Sequence, residues 1–193
     1  MRRVLLVLGA VALVAVVVIG LGQAGGAREE PEAATFDLEQ ARQRLAGAPP
    51  RLAQLHDLSS EILDGGVDAF ENRLQQLDGI PVVINKWASW CRPCRAEFPV
   101  FQQVATERGK EIAFIGVNAG DKRPAAEKFL AERPLPYPSY EDPDEKISRE
   151  IDVPKLFPAT IFIDARGEKT VQFGEYTSRD ALERDIDRFL GGS

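Results

Sequence analysis

Blocks of apolar and polar residues alternate along the chain in a way that predicts strands and helices in turn. Dense β-branched runs are typical of buried strands, and apolar residues spaced three or four apart are typical of amphipathic helices. The predicted strands are 81–88, 112–118, 159–164 and 168–173, the last two joined by a turn. The predicted helices are 38–45, 52–63, 68–77, 91–108, 124–132, 142–151 and a last one from 178 to the glycines at 191–192. This order, closing on a strand hairpin, predicts an α/β fold with a mixed central sheet.

The N-terminal block has a different pattern. Two arginines precede an uncharged apolar run over 4–21, which reaches the roughly 17–25 residues that a membrane-spanning helix needs. Small residues at 25–27 also leave room for cleavage by a signal peptidase. From the length of the run we expect an uncleaved transmembrane anchor over 1–21, a flexible tether over 22–50 and a folded domain over 51–193. The arginines place the N-terminus inside the cell and the domain outside the cytoplasm, as a single-pass membrane protein.

The charge of the chain restricts its partners. The formal net charge is −6 at pH 7, and the predicted domain is more acidic still, because two arginines belong to the anchor. An acidic surface argues against nucleic acid as a partner. Outside the cytoplasm, a pair of cysteines that forms a disulfide is either structural or catalytic.

The motif Trp-Cys-Arg-Pro-Cys at 90–94 holds the only two cysteines of the chain. A structural zinc site needs four cysteine or histidine ligands, and the chain has one histidine. A c-type haem site needs histidine directly after the second cysteine, where this chain has Arg95. A stapling disulfide is the remaining alternative, but so short a loop removes little chain entropy. A redox-active pair is therefore favoured, with no metal and no diffusible cofactor implied.

The spacing of the two cysteines predicts their roles. If Cys91 caps a helix, Cys94 lies in the first turn, and the positive end of the helix dipole favours the Cys91 thiolate. Arg92 adds a nearby cation, and Pro93 suits the first turn because its missing N–H has no helical partner there. We expect Cys91 to be the exposed nucleophile and Cys94 the buried resolving thiol.

The residues around this motif resemble the TlpA/ResA-like membrane-anchored thiol-disulfide oxidoreductases of the thioredoxin-fold superfamily. The resemblance covers about 77–190 and rests on the active-site stretch 87–94, the following helix at 95–99 and a cis-proline strand at 157–164. It implies a thioredoxin-like fold in which helices flank the mixed sheet and a βα insertion at 121–151 precedes the cis-proline strand.

The resemblance also implies roles for residues outside the cysteine pair. Pro158 alone could simply begin an edge strand, but the resemblance implies a cis Phe157–Pro158 bond that shapes the client groove. Glu97 alone would be a solvated glutamate on a helix surface, whereas the resemblance raises the alternative that it moves the Cys94 proton. Residues expected to bind the client are Trp90, Arg92, Pro93 and Phe157.

Two positions in the predicted strand before the motif stand out against thioredoxins. Asn85 stands where plain thioredoxins carry a buried aspartate, a replacement shared with the TlpA/ResA-like branch. Lys86 stands where an aromatic residue is common, and we expect it to open that side of the site.

The function that these observations favour is an extracytoplasmic oxidoreductase that reduces or isomerises protein disulfides through Cys91 and Cys94. The same exchange chemistry predicts a membrane thiol protein as electron donor, and we expect a monomer. The resemblance implies apocytochrome c maturation as one duty. One alternative is an oxidant that installs disulfides, and another is a non-catalytic thioredoxin-fold binding or assembly module. A peroxiredoxin is disfavoured because its usual Thr-X-X-Cys context is absent.

Overall fold

The computed structural model describes residues 36–153 and 155–191. The predicted membrane anchor over 1–21 lies outside this part of the chain. Among the described residues, no helix is long and apolar enough to cross a membrane. The compact unit begins at Phe36. The tether predicted for 22–50 is therefore corrected, since residues from 36 onward are folded with the domain.

The helix α1 (Leu38–Leu45) accounts for this earlier start. Its N-cap is Asp37, whose carboxylate accepts a hydrogen bond from the backbone N–H of Gln40 at 3.0 Å. Ala41 and Leu45 on its inner side are buried. Capping and burial together stabilise the helix that was predicted for 38–45 and join it to the folded domain.

The remaining elements complete a six-stranded sheet in the order β1-β4-β3-β2-β5-β6. The strand β2 is parallel to β3 and antiparallel to β5, β4 is parallel to both β1 and β3, and β6 is antiparallel to β5. This is the predicted mixed sheet. The elements after α1 are α2 (Pro50–Asp57), β1 (Ile62–Leu63), α3 (Gly66–Gln76), β2 (Val82–Trp87), α4 (Arg92–Arg108), β3 (Ala113–Ala119), α5 (Arg123–Glu132), β4 (Ser139–Asp142), α6 (Lys146–Glu150), β5 (Ala159–Ile163), β6 (Lys169–Phe173) and α7 (Arg179–Leu190).

Helices cover both faces of the sheet. On one face α4, α5 and α7 pack on a core that includes Trp87 and Phe162. On the other face α2, α3 and α6 pack on a core that includes Ile84 and Ile115. Successive residues of a strand point to opposite faces, so every residue of β2 is buried. This explains why β2 appears in the sequence as an apolar run.

Two predicted helices are shorter in the structure. The helix predicted for 52–63 ends at Asp57, and Ile62–Leu63 instead pairs with β4 as a parallel strand. The helix predicted for 142–151 begins at Lys146, because Asp142 is the last residue of β4. Both errors have one cause: the short strand β4 forms only because β3 lies beside it in the fold.

The carboxylate of Asp142 still supports α6 although it lies outside the helix. It accepts hydrogen bonds from the backbone N–H groups of Ile147 at 3.0 Å and Ser148 at 2.9 Å. These N–H groups belong to the first turn and have no partner within a helix. The N-cap residue itself is Glu145, so Asp142 supports the first turn from the end of the preceding strand.

Candidate active site

Cys91 and Cys94 form a disulfide at the start of α4. Cys91 is the N-cap residue, and its Sγ accepts a hydrogen bond from the backbone N–H of Cys94 at 3.2 Å. Pro93 lies in the first turn. The unpaired N–H groups and the positive end of the helix dipole therefore point at the Cys91 sulfur, as the spacing predicted.

Cys94 is buried as predicted, but Cys91 is not exposed. Cys91 is 3% exposed and Cys94 is 0% exposed. Both belong to the core cluster on the α4 face, against which Phe157 packs. In the disulfide form Cys91 is thus a covered residue, although it remains the more accessible of the two. Arg92, the first residue of α4, is exposed.

Two aromatic rings lie beside the disulfide. Trp90 is 58% exposed, and its ring packs edge-on against the ring of Phe157 with the centroids 5.1 Å apart. The indole Nε1–H of Trp90 donates to the carbonyl oxygen of Gly120 at 2.9 Å. The Phe157–Pro158 peptide bond is cis, as predicted. Trp90 and Phe157, both expected at the client groove, therefore contact each other beside Cys91.

Glu97 lies one helical turn after Cys94 and is fully buried. Its Oε1 accepts from Asn85 Nδ2 at 2.7 Å, and its Oε2 accepts from the backbone N–H of Tyr176 at 3.2 Å. Burial raises the pKa of Glu97 to about 8, although both hydrogen bonds oppose the shift. The surface position that spacing alone favoured is wrong, because Asn85 and Tyr176 enclose the carboxyl group.

Other buried polar atoms occur on the same face of the sheet. Within the part of the chain that the structure describes, Asn85 Oδ1, Tyr137 Oη and Thr160 Oγ1 are buried without a hydrogen-bond partner. Thr160 pairs with Asn85 across the strands. Burial raises the pKa of Tyr137, and the charge of Glu97 adds to this. The buried carboxyl group therefore has polar neighbours in an otherwise apolar core.

The loop before the disulfide is held by Asp121, which the sequence did not single out. Its carboxylate accepts from the backbone N–H of Ser89 at 2.5 Å, from Ser89 Oγ at 3.0 Å and from Asn118 Nδ2 at 3.0 Å. Polar residues at the carboxyl ends of adjacent parallel strands meet at one edge of a sheet. Since Asn118 lies near the end of β3 and Asp121 follows it, as Ser89 follows β2, that rule was the available signal.

Comparison with known proteins agrees with this geometry. The model of the AhpC/TSA family matches residues 60–171. The thiol-disulfide oxidoreductase ResA of Geobacillus kaustophilus is 32% identical over 121 residues, which are 61% of this chain and 67% of ResA. The thiol:disulfide interchange protein DsbE of Pseudomonas fluorescens is 40% identical over 92 residues, which are 47% of this chain and 49% of DsbE. The chain thus spans about half to two thirds of the length of these relatives.

A solved structure supports the fold assignment. A secreted disulfide oxidoreductase of Mycobacterium tuberculosis, described as homologous to DsbE, superposes with a TM-score of 0.54 at 28% identity. The match covers 59% of this chain and 85% of the other. The thioredoxin-like α/β fold and the resemblance to thiol-disulfide oxidoreductases, both expected from the sequence, are confirmed.

Proposed function

This chain belongs to the AhpC/TSA family, and on that premise we propose that it is a thiol-disulfide oxidoreductase acting on the disulfides of other proteins. One observation carries the proposal: the Cys91–Cys94 disulfide caps a helix, with the buried Glu97 behind it and the exposed Trp90 beside it. A disulfide that only staples the fold needs neither neighbour. The intact cysteine pair also argues against a non-catalytic binding module.

The first step of client reduction uses Cys91. Its thiolate attacks one sulfur of the client disulfide, which breaks the client S–S bond and forms a mixed disulfide. The other client sulfur leaves as a thiolate and takes a proton from water. The helix N-terminus stabilises the Cys91 thiolate before the attack.

The second step uses Cys94. Its sulfur attacks the Cys91 sulfur of the mixed disulfide, so that the Cys91–Cys94 bond forms and the second client thiol is released. Two electrons have then passed from the protein to the client. A thiol protein in the membrane restores the dithiol by the same exchange in reverse, with Cys94 as the leaving sulfur.

Glu97 carries the proton of Cys94 in this scheme. Cys94 must lose a proton before it attacks and regain one when its disulfide is reduced. Residues three apart on a helix share a face, and both side chains are buried, so water has little access. A carboxyl group whose pKa is about 8 holds a proton near neutral pH and exchanges it at little cost.

The client groove is formed by the residues around the disulfide. The rings of Trp90 and Phe157 form a wall, and Pro158, joined to Phe157 by the cis peptide bond, shapes the groove at the start of β5. An extended client segment pairs with the backbone at Phe157, in the manner of strand addition. Arg92 and Pro93 border the groove at the first turn of α4.

The same proposal includes an extracytoplasmic location. The apolar run over 4–21 anchors the protein with its N-terminus inside, and the domain works outside as a monomer. The two arginines before the run support this orientation. The description of the Mycobacterium tuberculosis relative as secreted supports the location of the domain outside the cytoplasm. Fractionation should find the full-length protein in membranes, whereas a mature N-terminus at Arg28 would show a cleaved, soluble form.

Within this scheme α5, β4 and α6 are the βα insertion of the TlpA/ResA-like branch, and apocytochrome c is the client class that the resemblance implies.

Insulin reduction with dithiothreitol tests the activity directly. The parent should accelerate insulin precipitation, and Cys91→Ser should not; a parent without effect would sink the proposal.

The reduction potential of the Cys91–Cys94 pair then decides the direction of exchange. We expect a value nearer the roughly −270 mV of thioredoxin than the roughly −120 mV of a strong oxidant. A value near the latter would identify a protein that installs disulfides.

A further inference from the structure

A buried lysine lies under the client groove, on the face of the sheet opposite Glu97. The side chain of Lys86 is 0% exposed, and its Nζ lies 2.9 Å from Glu145 Oε2. The same Nζ lies 4.3 Å from the ring centroid of Phe157. A buried charge persists only when it is well paired. The expectation that Lys86 opens the site is therefore wrong, because its cation supports the groove from below.

The contacts of Lys86 belong to a group of five neighbouring residues. Phe157 packs on Trp90, and Trp90 donates its indole N–H to the carbonyl of Gly120. Gly120 lies next to Glu145, since a Cβ atom built on Gly120 would have Glu145 Oε1 as its nearest neighbour, at 3.7 Å. Glu145 returns to Lys86 through the ion pair. The two aromatic rings of the groove are thus held from both ends.

Glu145 is itself held in an unusual backbone conformation. Its φ of 54° and ψ of 36° lie in the left-handed region, which residues with a Cβ atom occupy only where the surroundings enforce it. Its side chain is 12% exposed, and Lys155 Nζ lies 3.9 Å from its second oxygen. The carboxylate is therefore presented to Lys86 in a fixed position.

We propose that Lys86 and Glu145 are a positioning pair that fixes the Trp90 and Phe157 rings in the orientation that an extended polypeptide client requires. This inference rests on the proposed oxidoreductase function, because it concerns how clients of that reaction are held. Without the cation the Phe157 ring loses its support, and Trp90 loses the ring against which it packs. A small disulfide without a peptide backbone depends less on this wall.

The test compares two substrates of the reduced protein, a disulfide-bonded peptide and hydroxyethyl disulfide. In Lys86→Met and in Glu145→Gln, the ratio of the peptide rate constant to the hydroxyethyl disulfide rate constant should fall about fivefold. The loss should appear in KM rather than in kcat. The matched control is Lys146→Met, which removes a cation from an exposed ion pair with Asp144 and should leave the ratio unchanged.

The indole N–H resonance of Trp90, assigned with Trp90→Phe, gives a second readout. This resonance should shift in both variants. The double variant should lose no more of the preference for the peptide than the more impaired single variant does, because the pair acts as one unit. A parental substrate ratio in Glu145→Gln together with an unmoved Trp90 resonance overturns the proposal, even if Lys86→Met does not fold. An inactive parent would contradict the oxidoreductase function alone. The Trp90 resonance would still show whether Lys86 and Glu145 position the two rings.

Discussion

The buried carboxyl group of Glu97 connects the chemistry of the site to the stability of the domain. In the folded protein burial raises the pKa of Glu97 to about 8, from the ordinary value of 4.5. Between these two values the folded state holds a proton that the unfolded state has lost. The contribution of Glu97 to stability is therefore greatest at low pH and is lost as the pH rises towards 8.

Replacement of this group by Glu97→Gln should flatten the pH dependence of stability. Relative to the variant, the parent should lose several degrees of Tm between about pH 5 and about pH 8, because in this range the unfolded state ionises Glu97 while the folded state keeps it protonated. Thermal unfolding across this range measures the difference. Glu132→Gln, on the exposed side of α5, should follow the parent. Parallel curves for parent and Glu97→Gln would show that the carboxyl group is not held protonated.

The same variant should change the kinetics of disulfide exchange. Because the amide cannot accept or donate the Cys94 proton as a carboxyl group does, we expect the rate of disulfide reduction near neutral pH to fall about tenfold or more. The pH at which the rate is half-maximal should move as well. Stopped-flow reduction of a peptide disulfide against pH measures both. A variant that reacts as the parent does across the range would reduce Glu97 to a structural residue.

The roles of the two cysteines predict different trapping behaviour. In Cys94→Ser the mixed disulfide on Cys91 has no resolving thiol, so client adducts should accumulate. In Cys91→Ser the remaining thiol is fully buried behind the groove, so few adducts should form. Non-reducing gels followed by mass spectrometry of the adducts measure this. Adducts on Cys91→Ser in place of Cys94→Ser would reverse the assignment.

At the scale of elements, the site depends on how closely β3 and β4 approach β2. Trp87, at the end of β2, donates its indole N–H to Ser139 Oγ on β4 at 3.1 Å. The bond crosses β3 at Gly116, where a Cβ atom would come within 2.0 Å of Ser139 Oγ and 3.0 Å of Trp87 Nε1. A residue without a side chain at this position allows the bond to form.

Gly116→Ala should therefore destabilise the domain by about 1–3 kcal/mol. Ser139→Ala alone should cost about as much, because it leaves the buried indole N–H without an acceptor. The double variant should cost less than the sum of the two, since removal of Oγ takes away the atom that lies closest to the new methyl group. Urea unfolding of the four proteins gives the coupling, and additive losses would contradict this account.

Strands and helices with a strong local signal were predicted from the sequence. The apolar run of β2 and the cysteine-capped start of α4 can each be predicted from the residues of that segment alone. The strands β1 and β4 do not, because they have two and four residues and form by pairing with neighbours. The burial of Glu97 could not be foreseen for a similar reason. One of its partners, Tyr176, arrives from a loop 79 residues further along the chain.

At the scale of the whole molecule, the folded unit begins earlier than its composition suggests. The helix α1 contacts α4, and Leu45 lies against the C-terminal end of α4, 2.7 Å from where a Cβ atom of Gly109 would be. The helix that carries the cysteines is thus supported at its far end by a segment that precedes the predicted domain.

A chain that starts at Arg51 should consequently be less stable than one that starts at Phe36. Loss of the buried Leu45 side chain alone should cost roughly 2 kcal/mol, and Tm should fall by several degrees. Leu45→Ala in the longer chain should reproduce much of the loss, whereas Arg44→Ala, an exposed neighbour, should not. Equal thermal unfolding of the two chains would return residues 36–50 to the tether.

The hydrogen bond from Tyr176 to Glu97 cannot form in the nascent chain until Tyr176 has been synthesised. The cysteines leave the ribosome first, and translation at about 5–20 residues per second delivers Tyr176 several seconds later. During this interval Glu97 lacks its hydrogen bond from Tyr176, and β5 with its cis-proline has not yet been synthesised in full. The nascent polypeptide therefore exposes both thiols before the fold covers them, so disulfide adducts with other molecules should concentrate on partly synthesised chains rather than on finished ones.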